Sequence, residues 1–239
     1  MATPSDIIIS GSSFAGKWVI DKRLSAPPDP VWKAQGIKWV LRKAVALAEV
    51  TMHISVSSSP DSLSSNVAAA AESQLIPHEK LHLSILQIPT GGLAQIPEQR
   101  ALDWNEQVHL KDFLFGARQC RSRLVAGTVG PAGRIVPDFD PGTAIDKEII
   151  GQLLRGEVLP GGADGSGFLV EGDGEGGENA GLWIHTFDSR EDGAWTMEQI
   201  WGFEMIDGER RHTRRFVVAN KEGAVEMGRI VFTYLGSLE

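Results

Sequence analysis

One cysteine, one tyrosine and no long apolar run set the first limits on this sequence of 239 residues. With Cys120 alone, no disulfide can form within the chain, and a reducing, cytoplasmic compartment is the expectation. No stretch approaches the roughly 18 uninterrupted apolar residues of a membrane span, so integral membrane association is not expected. The opening MATPSDIIISGSS lacks a basic start followed by an apolar run, so neither a signal nor a transit peptide is expected. Positive charge is in deficit. Against 31 Asp and Glu stand 23 Lys and Arg, a net charge of -8 that repels phosphate backbones and argues against a nucleic-acid partner. The local run Arg210, Arg211, Arg214 and Arg215 is the exception, and reads as the solvated or pocket-facing arginines of one strand. There is no GxSxG elbow, no P-loop and no repeat of fixed period.

What is present is ordinary for a packed core. A hydrophobic fraction of 42% and a charged fraction of 23% fit one globular domain over residues 1–239. Asp29-Pro30 suits a helix start, and apolar Trp32, Ile37, Val40, Leu41, Ala44 and Leu47 follow at helical spacing. Gly36 interrupts them, which predicts two short helices or one kinked helix over about 30–48. Most other patterned segments read as strands: KWVID, VTMHISV, KLHLSILQI, RALDWNE, DFLFGARQCRSRLV, GLWIHTF, QIWGFEMI, RRHTRRFVVA and EMGRIVFTYLG. Asp207-Gly208 and Asn220–Gly223 join neighbouring strands as hairpins, so an antiparallel meander closing into a barrel is expected. Segments 57–77 and 160–181 read as insertions: 57–77 as a loop or a short helix at its alanine run, and 160–181, rich in Gly and acidic residues, as a mobile surface loop.

Several motifs invite a chemical reading. His78-Glu79-Lys80-Leu81-His82 satisfies HExxH, which requires both histidines on one face of a helix. Pro77 precedes it and strand-like LHLSILQI follows; in a strand the two histidines stand about 13 Å apart, too far to share zinc. A zinc hydrolase is therefore a remote alternative, with Glu98 and Glu106 only generic third ligands. Residues 172–177 satisfy GxGxxG, but no helix follows and the acidic flanks repel phosphate, so a solvated loop is expected rather than a dinucleotide or calcium site. Cys120, between Arg118 and Arg121, reads as a small core residue. Seven tryptophans supply rigid apolar surface for a core or for the wall of a ligand cavity.

Gly16-Lys17-Trp18 on a first strand, then a helix pair carrying Gly36 and Arg42-Lys43, then VTMHISV, resembles the opening of the fatty-acid-binding protein and lipocalin superfamily. The segment DKRLSAPPDPVWKAQGIKWVLRKA, TGG at 90–92, RALDW, FGARQCRSR and QIWGFEMIDGERR resemble a fungal lipocalin-like family, sometimes mislabelled as LCCL-domain proteins. The resemblance implies an all-β, antiparallel, calycin-type barrel with a helix-turn-helix lid and an apolar ligand inside. The Arg-x-Tyr clamp of the fatty-acid binders has no counterpart. Arg229 and Tyr234 are five apart and fall on opposite faces of a straight strand, which argues against a fatty acid.

Some larger lipocalin-like fungal proteins, which this chain resembles in fold, catalyse cofactor-free cyclisations, including Diels-Alder reactions. The resemblance thus implies a cyclase or isomerase of secondary metabolism acting on a hydrophobic terpenoid or polyketide intermediate, without a cofactor; a passive carrier is the alternative. A closed apolar cavity can hold a polyene in a reactive fold while a donor polarises a carbonyl. Strand phase places Trp183, His185 and Phe187 on one face, Trp201, Phe203 and Met205 on one face, Arg121 with Arg123, and His212 with Arg214 and Phe216. Arg121, Arg214 and His185 are the candidate catalytic donors. Trp18, Trp39, Arg123, Trp183, Trp201, Phe203, Phe216 and Tyr234 are the candidate ligand-binding residues.

Overall fold

A computed structural model describes residues 2–60, 79–109, 114–130, 133–171 and 182–238. The described elements run β1 (Gly16–Ile20), α1 (Pro28–Ala34), α2 (Trp39–Leu47), β2 (Val50–Pro60), β3 (Glu79–Pro89), β4 (Ile96–Ala101), β5 (Gln107–His109), β6 (Arg118–Val129) and β7 (Ile135–Pro137). After them come α3 (Lys147–Leu154), β8 (Leu182–Arg190), β9 (Trp195–Ile206), β10 (Glu209–Asn220) and β11 (Val225–Gly236). Every named strand pairing is antiparallel, in the order β4-β3-β2-β1-β11-β10-β9-β8-β6-β5, with β7 on β6. The path bends back on itself just beyond β4. Asp103 bridges to Arg123, and the Trp104 N–H donates to the Ser122 carbonyl at 2.7 Å, so the strands form a barrel-like sheet.

The hairpins fall where turn chemistry places them. Asp207 (φ 51°) and Gly208 (φ 76°) both take the left-handed conformation that a two-residue hairpin turn requires. Asn220 closes the next hairpin by accepting the amides of Glu222 and Ala224 on its side-chain oxygen. The helix pair also forms, although Asp29 does not cap it. The first helix begins at Pro28, and the Asp29 carboxylate instead accepts from Arg42 Nε at 3.0 Å, tying α1 to α2.

Alternation sorts the strand residues into two cores. Trp18, Met52, Ile54, Leu83, Ile85, Ile184, Trp201, Phe203 and Phe232, from strands around the whole circuit, meet inside the barrel together with Phe14. On the outer face Trp183, Ile200, Val217 and Val125 pack under Phe139, Ile150, Leu154 and Phe168 of the segment that follows β7, which contains α3 and continues past it. The sequence reading does not anticipate this second layer. Nor does it anticipate α3, whose Ile150, Leu153 and Leu154 are buried against the sheet. Gly202 on the outer face of β9 makes the approach close: a Cβ there would stand 2.6 Å from the Trp183 ring and 2.7 Å from Phe168.

Other expectations need correcting. RALDWNE is not a strand throughout; β4 ends at Ala101, and Asp103–Asn105 form a turn in which the Asp103 carboxylate accepts the Asn105 amide. The insertion read at 57–77 starts inside β2, and the rest of it lies outside the described residues. Of the loop read at 160–181, the described part is anchored: Phe168 is buried and the Leu169 amide donates to the Phe203 carbonyl at 2.7 Å. The GxGxxG stretch and His78 lie outside the described residues. Glu79 and His82 belong to strand β3, with His82 opposite Ser57, which is not the helix that HExxH needs. Among the described residues no helix is long and apolar enough to cross a membrane.

Candidate active site

The large apolar residues fill only part of the barrel. Between them and the α1–α2 lid lies a cavity of about 340 Å³. Its outer part is mainly apolar, lined by Val31 and Trp32 of α1, Val45 of α2, Ala48, Leu93 and Phe216, with Lys22, Ser25, Gln35 and Gln87 as its polar members; the Lys22 ammonium donates to the Ala46 carbonyl of α2 at 2.8 Å. Its inner part is charged, lined by Glu98 and Arg100 of β4, Arg118 of β6, Asp188 of β8, Gln199 of β9 and Arg214 of β10. All six are buried.

Four of these charges neutralise one another. Arg100 bridges two carboxylates: its Nε donates to Glu98 at 2.6 Å, and its Nη2 reaches both Asp188 oxygens at 2.9 and 3.1 Å. Its Nη1 donates to Ser122 Oγ at 3.0 Å. Arg118 stands 3.6 Å from Glu98 and 3.9 Å from Asp188. Burial alone would raise the Glu98 carboxyl, but Arg100, Arg118 and Arg214 override it and hold its pKa at about 2. Burial disfavours the Arg100 charge, yet Asp188 and Glu98 more than compensate and push its pKa up.

Arg214 is different. Among the described residues no carboxylate lies within ion-pair distance of it. Its guanidinium lies 3.5 Å from the centroid of the Trp201 ring and 4.9 Å from that of Phe232. Its Nε donates to His212 Nε2 at 3.4 Å, and Nη2 points to the Met52 sulfur at 3.7 Å. Burial pushes its pKa down to about 9, so it stays charged at neutral pH at a cost in desolvation. His212 is set for this task. Burial and the adjacent Arg214 hold its imidazole neutral, so that Nδ1–H donates to the Gly202 carbonyl at 3.0 Å and Nε2 keeps its lone pair for Arg214. The same ring stacks on Phe232 at 4.9 Å.

At the inner end, then, a network of Glu98, Asp188, Arg100 and Arg118 and the separate Arg214 cation, backed by the neutral His212 imidazole, meet the mainly apolar chamber. The arrangement suits fixed electrostatic stabilisation of charge developing on a bound oxygen, which is strongest where water is excluded.

The chain is similar over nearly its whole length to a pericyclase. Pericyclase pydY of an Acremonium species is 26% identical over 236 residues, covering 99% of this chain and 98% of that protein. No family model matches the chain, and no solved structure does.

Of the residues picked from the sequence, Arg214 and Phe216 line the cavity, and Trp201 lies directly against Arg214. Trp18, Phe203 and Tyr234 are inside the barrel but belong to the solid core, with Tyr234 packed 4.9 Å from Trp18. Trp183, His185 and Arg123 occupy the opposite, outer face. There His185 Nε2 bonds Glu198 at 2.9 Å, Arg123 Nε donates to His185 Nδ1 at 3.4 Å, and the Trp104 ring packs on both. Glu198 also accepts the amides of Gly142 and Thr143, so this cluster fastens the outer segment to the sheet. Arg121 is exposed and pairs with Glu106 at 3.0 Å, and Trp39 on α2 is 62% exposed.

Sequence reasoning passed over Arg100, Asp188 and Gln199, and used Glu98 and Arg118 only in other contexts. A usable signal exists for two of them: Ile96, Glu98 and Arg100 share one strand phase, a charged pair continuing an apolar face.

Proposed function

We propose that the chain is a fungal lipocalin-like pericyclase that encloses a flexible hydrophobic polyene and speeds its intramolecular cyclisation without a cofactor. The substrate class is a terpenoid or polyketide intermediate carrying a carbonyl-activated alkene. The observation that carries this reading is Arg214, a buried cation on the cavity wall with no carboxylate partner among the described residues. The end-to-end similarity to a pericyclase supports it. In the transition state of such a cycloaddition, electron density moves onto the activating carbonyl oxygen, and a guanidinium donor at that oxygen lowers the barrier. The apolar walls hold diene and dienophile within reach, which removes much of the entropic cost of cyclisation. His212 acts as a positioning residue by accepting Arg214 Nε.

Mass spectrometry of the purified protein tests this, native for bound species and then denatured with organic extraction. One apolar polyketide or terpenoid per chain supports the reading. One stoichiometric zinc without a small molecule contradicts it and favours the HExxH alternative, whereas a bound metabolite that is never converted makes the protein a carrier.

A further inference from the structure

Among the described residues the polar end of the cavity holds one arginine, Arg214, that no carboxylate pairs. Two acids, Glu98 and Asp188, face three bases, Arg100, Arg118 and Arg214, and the first two bases already hold both acids. The nearby imidazoles add no charge: burial keeps His212 neutral and, together with Arg118, lowers the pKa of His109. One buried positive charge is therefore left over among the described groups. Hydrogen-bond donors are also in surplus. The indole N–H of Trp201, whose ring lies between Arg214 and Arg100, is buried with no acceptor among the described residues. A buried cation without a counterion is costly unless something completes it.

We infer that the occupant of this cavity carries an anionic oxygen group, a carboxylate or the enolate of an acidic dicarbonyl, which enters first and pairs with Arg214 while its hydrocarbon part extends toward the α1–α2 lid. This rests on the reading that the cavity holds the substrate, and it names the substrate's head group and its direction of binding. Gln199, opposite Phe216 in the β9–β10 register and on the cavity wall, offers a neutral amide beside that head. Toward the lid the lining is mainly apolar at Val31, Trp32 and Val45, and the one lysine there, Lys22, is exposed and donates to the Ala46 carbonyl, so the tail is the better match for that end. The reverse orientation would leave Arg214 facing hydrocarbon.

The test compares two polyene probes of nearly equal shape, cis-parinaric acid and its methyl ester, by their fluorescence on binding to the full chain at pH 7. The wild type is expected to bind the acid at least about tenfold more tightly than the ester. Arg214→Gln should erase that preference by weakening the acid at least about tenfold while leaving the ester within about twofold. Arg214→Lys, which keeps the charge, should retain part of the preference, and guards against a misfolded Gln variant. Equal affinity of the wild type for acid and ester overturns the inference while leaving the cavity as a binding site. A preference that survives in Arg214→Gln also overturns it. Failure of both probes to bind the wild type contradicts the cavity reading itself.

Discussion

Arg214 lies over Trp201, its guanidinium carbon 3.5 Å from the ring centroid, and this stacking adds to the more distant charges of Glu98 and Asp188 in offsetting the burial of a cation that no carboxylate among the described residues pairs directly. A cation held against an aromatic face in a dry site gains about 2 kcal/mol, less than its desolvation costs. Function and stability therefore oppose each other here.

Arg214→Met should lower turnover of a cyclisation substrate by about 10²–10³, the cost of removing one transition-state donor. The same change should stabilise the fold by about 1–3 kcal/mol, because an apolar chain replaces a desolvated charge whose pKa burial has depressed. Thermal unfolding beside single-turnover kinetics reads both, and a variant that is slower and also less stable would show that Arg214 is structural.

Arg100→Met should do the opposite to stability. It strands Glu98 and Asp188 as buried carboxylates without their bridging guanidinium, which costs about 3–5 kcal/mol in denaturant unfolding. Replacing Glu98, Arg100 and Asp188 together with apolar residues of similar volume should recover most of that loss.

Glu98 gives the fold an acid limit. Its pKa is about 2 in the native barrel against an ordinary carboxylate value of 4.5, so the unfolded chain binds the proton first. The stabilisation is whole above about pH 4.5 and is lost progressively as pH falls toward 2. Unfolding free energies measured across that window should fall more steeply for the wild type than for Glu98→Gln.

Arg121→Ala and Trp39→Ala should leave turnover unchanged and stability within about 0.5 kcal/mol. Both side chains are exposed, Arg121 in a surface ion pair and Trp39 on the outer side of α2. A loss of activity in either would place the reaction somewhere other than the cavity.

Strand phase made Arg214 and Phe216 legible as a facing pair, and the Asp207-Gly208 turn fixed the β9–β10 hairpin that carries them. Phase could not say which face is inward, because both faces of this sheet are buried. Trp183 and His185 look like cavity residues for the same reason that Trp201 does: each is large and alternates with its neighbours. What separates them is the outer layer of Phe139, Ile150, Leu154 and Phe168, which belongs to a segment with a weaker pattern of its own. The inner charge cluster was hidden by chain distance. Arg100 and Asp188 meet at 2.9 Å although 88 residues separate them, and no local spacing announces such a pair.

The proposed role of Arg214 is to accelerate a cyclisation in this cavity. Its most direct test is the disappearance of polyene absorbance when a synthetic linear polyene bearing a tethered, carbonyl-activated alkene is incubated with wild type or Arg214→Met, the products being resolved by stereochemistry. With the wild type, consumption should be faster than in buffer and give a single stereoisomer, and Arg214→Met should slow it by about 10²–10³. Wild-type consumption at the buffer rate, with the same isomer mixture as the spontaneous reaction, would contradict it.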